Sequence, residues 1–304
     1  MPTEKQQTSF AFLQKPLFAL ILIPGLFIFL WSNGYIGAKL VLPHSSPWTV
    51  LALRFAIVAI IMTGLAFILK SPWPSTHEQV FHTAIVGVLL QALYLGGAFM
   101  GMDSGIDAAT SALIGALPPL FTAIAAFVLI RERLSPMGWA GIFIGMLGVF
   151  MVVTIRLDLG FGSFSGFIAN FLGAVALAIA AAYQKRFMTS FNWVTASVIQ
   201  FIAASFFCFF VALGFEDMTI EWTPRFFAGL GLLVFALSIG AVTLLQLLIK
   251  RGAATGVMSL LFLVPVSTAL IAWPLFGETF SPYSLFGFAL AVLGVRLVQK
   301  GVLK

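Results

Sequence analysis

Residues 119–149 read PLFTAIAAFVLIRERLSPMGWAGIFIGMLGV, and residues 265–295 read PVSTALIAWPLFGETFSPYSLFGFALAVLGV. The two stretches lie 146 positions apart and align without a gap. Pro119, Thr122, Ala123, Ala126, Leu129, Glu132, Ser135, Pro136, Gly141, Leu147, Gly148 and Val149 recur as Pro265, Thr268, Ala269, Ala272, Leu275, Glu278, Ser281, Pro282, Gly287, Leu293, Gly294 and Val295, which is 12 identities in 31 positions. Apolar bias alone would give far fewer. The second half of the chain repeats the first. If five membrane spans separate the copies, an odd number, the copies face opposite ways across the bilayer. Secondary transporters use such inverted repeats to build two alternating gates around one central site.

Composition places the chain in a membrane. Its 304 residues are 61% hydrophobic and 9% charged, with a mean hydropathy of +1.09. Soluble domains average about 25% charged residues. Ten acids and 16 bases cannot cover a chain of this length for water. The net charge of +6 belongs to loops and does not point to nucleic acid. A single cysteine, Cys208, sits in an apolar run and forbids an intrachain disulfide. It reads as a small core or lipid-facing residue. The first apolar run, Leu17 to Ile36, is as long as a full span and lacks a cleavage site followed by a hydrophilic domain. It reads as a retained helix, not a signal peptide.

A spanning helix needs roughly 20 mostly apolar residues. Windows of that length fall at 17–37, 48–69, 80–100, 106–129, 136–154, 163–184, 193–213, 225–249, 253–275 and 282–299. The expected fold is an all-α integral membrane protein, with ten transmembrane helices arranged as two inverted five-helix repeats. A β-barrel does not fit, because the runs are continuous and do not alternate. The expected organisation is a tail at 1–16, one five-helix copy over 17–154, a second over 163–299, and a tail at 300–304. Lysines and arginines set the orientation. Twelve of the 16 fall on the side of the N-terminus, while Lys39, Arg156 and Arg225 fall opposite and Arg54 lies inside a span. Both termini are therefore predicted to be cytoplasmic. The 146-residue shift maps the fourth helix onto the ninth and the fifth onto the tenth, and it maps Lys39 onto Lys185.

Gly141 and Gly145, and again Gly287 and Ala291, place small residues four apart. That spacing lets helix backbones approach closely in lipid, within one chain or at a homodimer contact. Pro118 and Pro119 in the fourth span and Pro265 in the ninth each remove a backbone donor. Bent helices at corresponding points of two halves are the best sequence pointer to a transport site. Packing kinks are the alternative reading.

Trp31-Ser32-Asn33-Gly34 with Ala38-Lys39, then Pro47 and Leu51-Ala52-Leu53-Arg54-Phe55, resemble the start of the EamA-type ten-helix exporters of the drug/metabolite transporter superfamily. So does Arg131-Glu132-Arg133-Leu134-Ser135-Pro136 with Gly141 and Gly148, used again as Gly277-Glu278-Thr279-Phe280-Ser281-Pro282 with Gly287 and Gly294. The resemblance runs over the whole chain. It implies two inverted five-helix halves, a bacterial inner-membrane location and export of small metabolites. Within that group the chain is similar to exporters of aromatic and other apolar amino acids. One departure stands out: Arg131 occupies a position where many relatives have Gly. Glu132 and Glu278 read as structural acceptors for backbone donors near Ser135 and Ser281.

No catalytic constellation is visible. His44, His77 and His82 do not pair with Cys or acids at metal-ligand spacing. No metal site and no cofactor is expected, and the chain does not read as an enzyme. The polar residues inside spans are the candidates, because they are costly to bury there and usually face a cavity or a partner. Arg54 lies about six residues into its helix, roughly 9 Å below the outer end at 1.5 Å per residue. Its charge persists at any physiological pH, so it needs an anion, carbonyls or water. It either lines the outer half of the pathway, drawing a substrate carboxylate or orienting the outer gate, or pairs with Asp103 or Asp107. Further cavity candidates are Asn33, Tyr35, Gln91, Tyr94, Tyr183, Gln200 and Trp273, together with Pro119 and Pro265. Each is alternatively a helix–helix hydrogen bond or a packing residue, and Trp31 and Trp273 fit an interfacial belt. Arg54 maps onto Gln200 by the 146-residue shift. Lys39, Asp103 and Asp107 are the gate or coupling candidates. The 33 phenylalanines pack or face lipid, and some suit an apolar cavity. No Asp or Glu lies in the middle of a span, which disfavours cationic drugs as cargo and leaves proton coupling without an obvious carrier.

The sequence thus reads as an inner-membrane secondary transporter exporting small, largely apolar metabolites, with amino acids as the expected cargo. Its partners are the lipid bilayer and a small-molecule substrate, not nucleic acid. A multidrug or other metabolite exporter on the same fold is the alternative. A non-transporting scaffold would need a packed centre instead of a polar-lined cavity.

Overall fold

The computed structural model describes residues 22–106, 111, 114–154, 163–189, 191–267, 270 and 282–303. Over these residues the chain is almost entirely helical. The helices are α1 (Ile23–Val41), α2 (Pro47–Ile68), α3 (His77–Asp103), α4 (Pro118–Ile130), α5 (Pro136–Thr154), α6 (Phe164–Phe187), α7 (Trp193–Phe215), α8 (Pro224–Arg251), α9 (Ala254–Ser267) and α10 (Pro282–Gly301). Six of them, α1, α2, α3, α6, α7 and α8, are each long and apolar enough to cross a membrane. Helices α4, α5 and α9 are shorter apolar segments.

The starts of these helices follow from local chemistry. Proline opens α2, α4, α5, α8 and α10, where its missing N–H costs nothing and its fixed φ suits the first turn. Side chains of Thr76, Ser163, Asn192 and Thr223 cap α3, α6, α7 and α8 by accepting from backbone N–H groups. In lipid every such donor needs a partner within the protein.

The proline pair corrects one expectation. A continuous span over 106–129 with a kink at mid-helix is not what forms. The chain turns at Gly115–Ala116, and α4 begins afresh at Pro118. Two consecutive prolines remove two adjacent donors, which a helix tolerates in its first turn and not in its interior. Around Pro265 the ninth segment changes type, with a 3-10 stretch at Ser259–Leu263 just before it. The proline cannot donate, so the preceding turn tightens. At the other end of α4, Arg131 takes a left-handed backbone (φ 57°), which explains why glycine suits that position.

Packing follows the 146-residue offset. The main helix pairs are α1 on α8, α3 on α6, α2 on α7 and α5 on α10. Adding or subtracting 146 turns the first pair into the second and returns each of the last two to itself. Phe55 of α2 packs on Phe201 of α7, its own counterpart, with ring centres 5.8 Å apart. A Cβ at Gly148 would strike the backbone of Gly287 and Ala291, and one at Gly294 would strike Gly141 and Gly145. These small residues hold α5 against α10 inside the chain, so their spacing does not call for a second copy. The two longest spans also share an irregularity. Helix α3 widens into a π turn over Val88–Leu93, and α8 widens over Leu232–Val242. Shifted by 146, the first stretch falls inside the second.

Short ties close the two ends. At one end Arg133–Leu134 pairs antiparallel with Val302–Leu303, and Ser135 N–H donates to Gly301 O at 2.8 Å. That end gathers Lys70, Arg131, Arg133, Lys185, Arg186, Lys250 and Arg251, and is called the basic end below. At the acidic end lie Asp103, Glu216, Asp217 and Glu221. There Ser45 bridges to Ile220, and Glu221 N–H donates to His44 O at 2.8 Å.

Carboxylates near the ends act as caps across helices. Glu216 accepts from Trp48 N (2.9 Å), Thr49 N (2.8 Å) and Thr49 Oγ1 (2.7 Å), seating the start of α2. Glu132 accepts from Ala254 N and Thr255 N, both at 3.1 Å, at the start of α9. The expected structural role is there, but the helix it caps is α9 and not the following helix α5. Ser135 itself serves that following helix, accepting from Gly138 N–H at 3.3 Å. Glu278 and Ser281 lie outside the described residues.

Candidate functional site

Buried polar atoms without partners are rare in folded proteins and call for an account. Here they concentrate on a few side chains. Arg54 is fully buried. Its Nε donates to Ser238 Oγ at 3.0 Å, and its guanidinium carbon lies 5.2 Å from the Phe55 ring centre. The two terminal nitrogens have no hydrogen-bond partner among the described residues. The expected pair with Asp103 is not formed among them. Asp103 is exposed and lines a crevice of about 330 Å³ with Glu216 and Asp217 at the acidic end. Asp107 lies outside the described residues.

Ser238 holds Arg54 from the π turn of α8, and its neighbour Leu237 reaches an aromatic crevice. Trp31 and Tyr94 stack there with centres 5.9 Å apart, and Tyr35 and Phe99 complete the walls. The space enclosed is only about 20 Å³, so the walls are nearly closed on one another. Leu237 itself packs where a side chain at Gly34 would stand. Two expected site residues, Tyr35 and Tyr94, are thus brought together. Trp31 is 4% exposed, so it belongs to this core and not to an interfacial belt.

Gln91 lies in the π turn of α3, fully buried, and neither amide atom has a partner among the described residues. A π turn leaves wide, poorly satisfied backbone and recurs at functional sites. Gln200 is equally buried and joins a chain of amides. Gln246 Nε2 donates to Gln200 Oε1 at 2.7 Å, and Gln184 Nε2 donates to Gln246 O at 3.3 Å. This chain crosses from α7 through α8 to α6, leaving Gln184 Oε1 and Gln246 Oε1 without partners among the described residues. Ser238, Gln184 and Gln246 were not singled out in the sequence. Each is an intramembrane polar residue, so the rule that found Gln200 covers them; Gln184 and Gln246 sit close to Lys185 and Lys250 and pass for helix ends.

The remaining candidates separate from this centre. Asn33 folds back to donate to Phe29 O at 2.7 Å on its own helix. Lys39 is exposed. Tyr183 shares a 2.6 Å hydrogen bond with His82 Nδ1, and His82 stacks on Phe187 at 4.5 Å, a cluster toward the basic end. Pro119 and Pro265 are both buried at the breaks described above. Trp273 lies outside the described residues. Cys208 is fully buried. Among the described residues no group of three His, Cys, Asp or Glu side chains is placed to hold a metal ion.

Comparison with known proteins adds to the geometry. The profile of the EamA-like transporter family matches residues 9–154 and again residues 164–299. An Escherichia coli K12 protein named as an uncharacterized inner membrane transporter, YedA, is 23% identical over 289 residues, spanning 94% of this chain and 90% of that one. A Chlamydia muridarum S-adenosylmethionine/S-adenosylhomocysteine transporter is 22% identical over 288 residues, covering 89% and 88%. Among solved crystal structures, one chain superposes with a TM-score of 0.72 at 20% identity, over 92% of this chain and 96% of that one, which shows a shared fold.

Proposed function

Because the chain belongs to the EamA-like transporter family and is a multi-pass transporter of the inner membrane, we propose that it exports amino acids and related small metabolites with apolar or aromatic bodies. It works by alternating access around a centre bounded by Arg54, the Trp31–Tyr35–Tyr94 crevice and Gln91. The architecture proposed with it is ten spans in two inverted five-helix copies. The basic end and both termini face the cytoplasm, in keeping with the excess of Lys and Arg there. The pairing of α1·α8 with α6·α3, and the contact of Phe55 with Phe201, support a two-fold relation between the halves.

The observation that carries the substrate class is the guanidinium of Arg54. A fully buried cation with one hydrogen bond is costly, and breaking even with its desolvation takes an anion and further hydrogen bonds. A carboxylate meets the planar fork of two free nitrogens bidentately. A cationic drug would meet repulsion instead. The aromatic crevice one residue along α8 suits an apolar body next to that carboxylate. The cargo molecules in the chlamydial relative's name both carry an α-amino carboxylate, which agrees with recognition through the amino-acid head. That relative also favours a second reading, export of larger conjugated metabolites through the same head group.

The test is uptake of labelled phenylalanine and leucine into liposomes carrying the purified protein, with and without a pH gradient. Uptake competed by unlabelled amino acid is expected, and the gradient arm separates facilitated from proton-coupled movement. Folded protein that moves no amino acid, while moving metabolites that lack a carboxylate, would overturn the proposal.

A further inference from the structure

A second place on the molecule has the chemistry of an amino-acid head-group site. At the basic end, between the end of α6, the turn into α7 and the end of α8, lies a cavity of about 150 Å³. Gln184, Lys185, Phe191 and Lys250 form its polar and aromatic boundary. Through Met188, Phe191 and Lys250 it adjoins a larger cavity of about 470 Å³, walled by Trp73 and Phe187 among others. Among the described residues, neither cavity is lined by an acid.

Three groups there have spare hydrogen-bonding capacity. Lys250 Nζ donates to Phe191 O at 3.0 Å and stands 4.8 Å from the Phe191 ring centre. Lys185 Nζ donates to Ile249 O at 3.1 Å and Lys250 O at 3.3 Å. An ammonium has three donors, so both lysines keep at least one for an anion. Gln184 is 1% exposed. Its amide orientation is fixed, because the group opposite one end is the carbonyl of Gln246, which only accepts. The free atom is therefore Oε1, a buried acceptor without a partner among the described residues. Two cations beside one orphaned acceptor fit a carboxylate and an ammonium held side by side.

We propose that this cavity is a second binding site for an α-amino acid, separate from Arg54, on the basic face. The substrate carboxylate is held by Lys250 and Lys185, and its ammonium donates to Gln184 Oε1. Its side chain extends into the larger cavity between Trp73, Phe187 and Phe191. Gln184 is also the first member of the amide chain Gln184–Gln246–Gln200, so a ligand here sits against one end of that buried polar chain. The inference rests on the amino-acid reading of the cargo and adds a waiting position ahead of the central site.

Thr189 lines the small cavity and is exposed, so it carries the probe. In full-length protein with Cys208→Ala, a Thr189→Cys variant is labelled with a membrane-impermeant maleimide. L-Phenylalanine is expected to slow labelling; phenethylamine, which lacks the carboxylate, and 3-phenylpropionate, which lacks the ammonium, are not. Lys250→Gln and Gln184→Met raise the half-protecting concentration at least about tenfold, the effect of losing one hydrogen bond to a charged group, and Lys250→Arg restores it. Arg54→Gln leaves protection intact. No protection in otherwise unchanged protein that still takes up phenylalanine refutes this site and leaves the transport reading standing. Equal protection by 3-phenylpropionate, protection by anionic lipid vesicles alone, or loss of protection in Arg54→Gln each refutes it as well.

Discussion

Replacing Arg54 with methionine separates a guanidinium that waits for substrate from one that holds the fold. Methionine keeps most of the volume and removes the charge. The substitution loses the 3.0 Å bond to Ser238 Oγ, about 1.5–3 kcal/mol for a charged donor, and a contact with Phe55 worth about 1 kcal/mol. Against that, it relieves the desolvation of a fully buried cation with two unpartnered nitrogens, a penalty of several kcal/mol. Replacing even a buried ion pair by apolar groups of similar size is often neutral or stabilising by about 1–4 kcal/mol, and Arg54 has no anion among the described residues to lose. The unfolding midpoint of purified Arg54→Met protein should therefore equal or exceed that of the unchanged chain. Phenylalanine binding should weaken by about 1.5–3 kcal/mol, the worth of hydrogen bonds between charged groups, which is roughly 10- to 150-fold. Thermal unfolding in detergent reads the first quantity, and half-saturation of uptake in liposomes reads the second. A loss of about 3–5 kcal/mol in stability is the signature of a carboxylate left without its cation. That result, with unchanged affinity, would refute the reasoning and assign Arg54 to an internal ion pair.

Other outcomes follow from the packing and the caps. Gly148→Ala forces its Cβ against the backbone of Gly287 and Ala291 and should cost about 1–3 kcal/mol as overpacking. Gly64→Ala meets nothing within 4 Å and should gain about 0.5–1 kcal/mol of helix stability; a Gly148→Ala midpoint that does not fall would contradict the α5·α10 contact. Glu216→Ala removes the acceptor for Trp48 N–H, Thr49 N–H and Thr49 Oγ1–H and should cost about 1–2 kcal/mol, measured as earlier thermal unfolding. Arg131→Gly relieves a left-handed φ of 57°. The relief of about 1–2 kcal/mol is offset by the backbone entropy of glycine, about 0.5–1 kcal/mol, so the midpoint should stay level or rise slightly; a clear fall would mean that the Arg131 side chain is needed.

The membrane class, the helix order and the register between halves were legible because they rest on length, apolarity and spacing. Glu132-Ser135-Pro136 and its copy at 278–282 fix the offset, and the helix pairs that form are related by that offset, Phe55 on Phe201 among them; which helices meet is not written in it. The break at Pro118 is not legible because a span is recognised by its apolar length, and a turn between two apolar stretches leaves that length unchanged. Direction within a helix was also hidden. Trp31 and Asn33 are two residues apart, yet one packs in the core and the other bonds its own helix. Nor does a single polar residue reveal its partner: Gln246 matters because it lies between Gln184 and Gln200, a relation set by how three separate helices pack. Arg54 stood out because arginine cannot lose its charge, so its need was visible where those of the glutamines were not.

The paired π turns of α3 and α8 bear on the history of the chain. A wide turn arises from one residue too many in a regular helix. Its presence at corresponding places in both copies is most simply inherited, which dates the extra residue before the duplication. The segment that was copied then already carried that irregularity, and both halves kept it. Where two copies are related by a two-fold axis, like residues meet across it, and Phe55 packed on Phe201, its own counterpart, has that character.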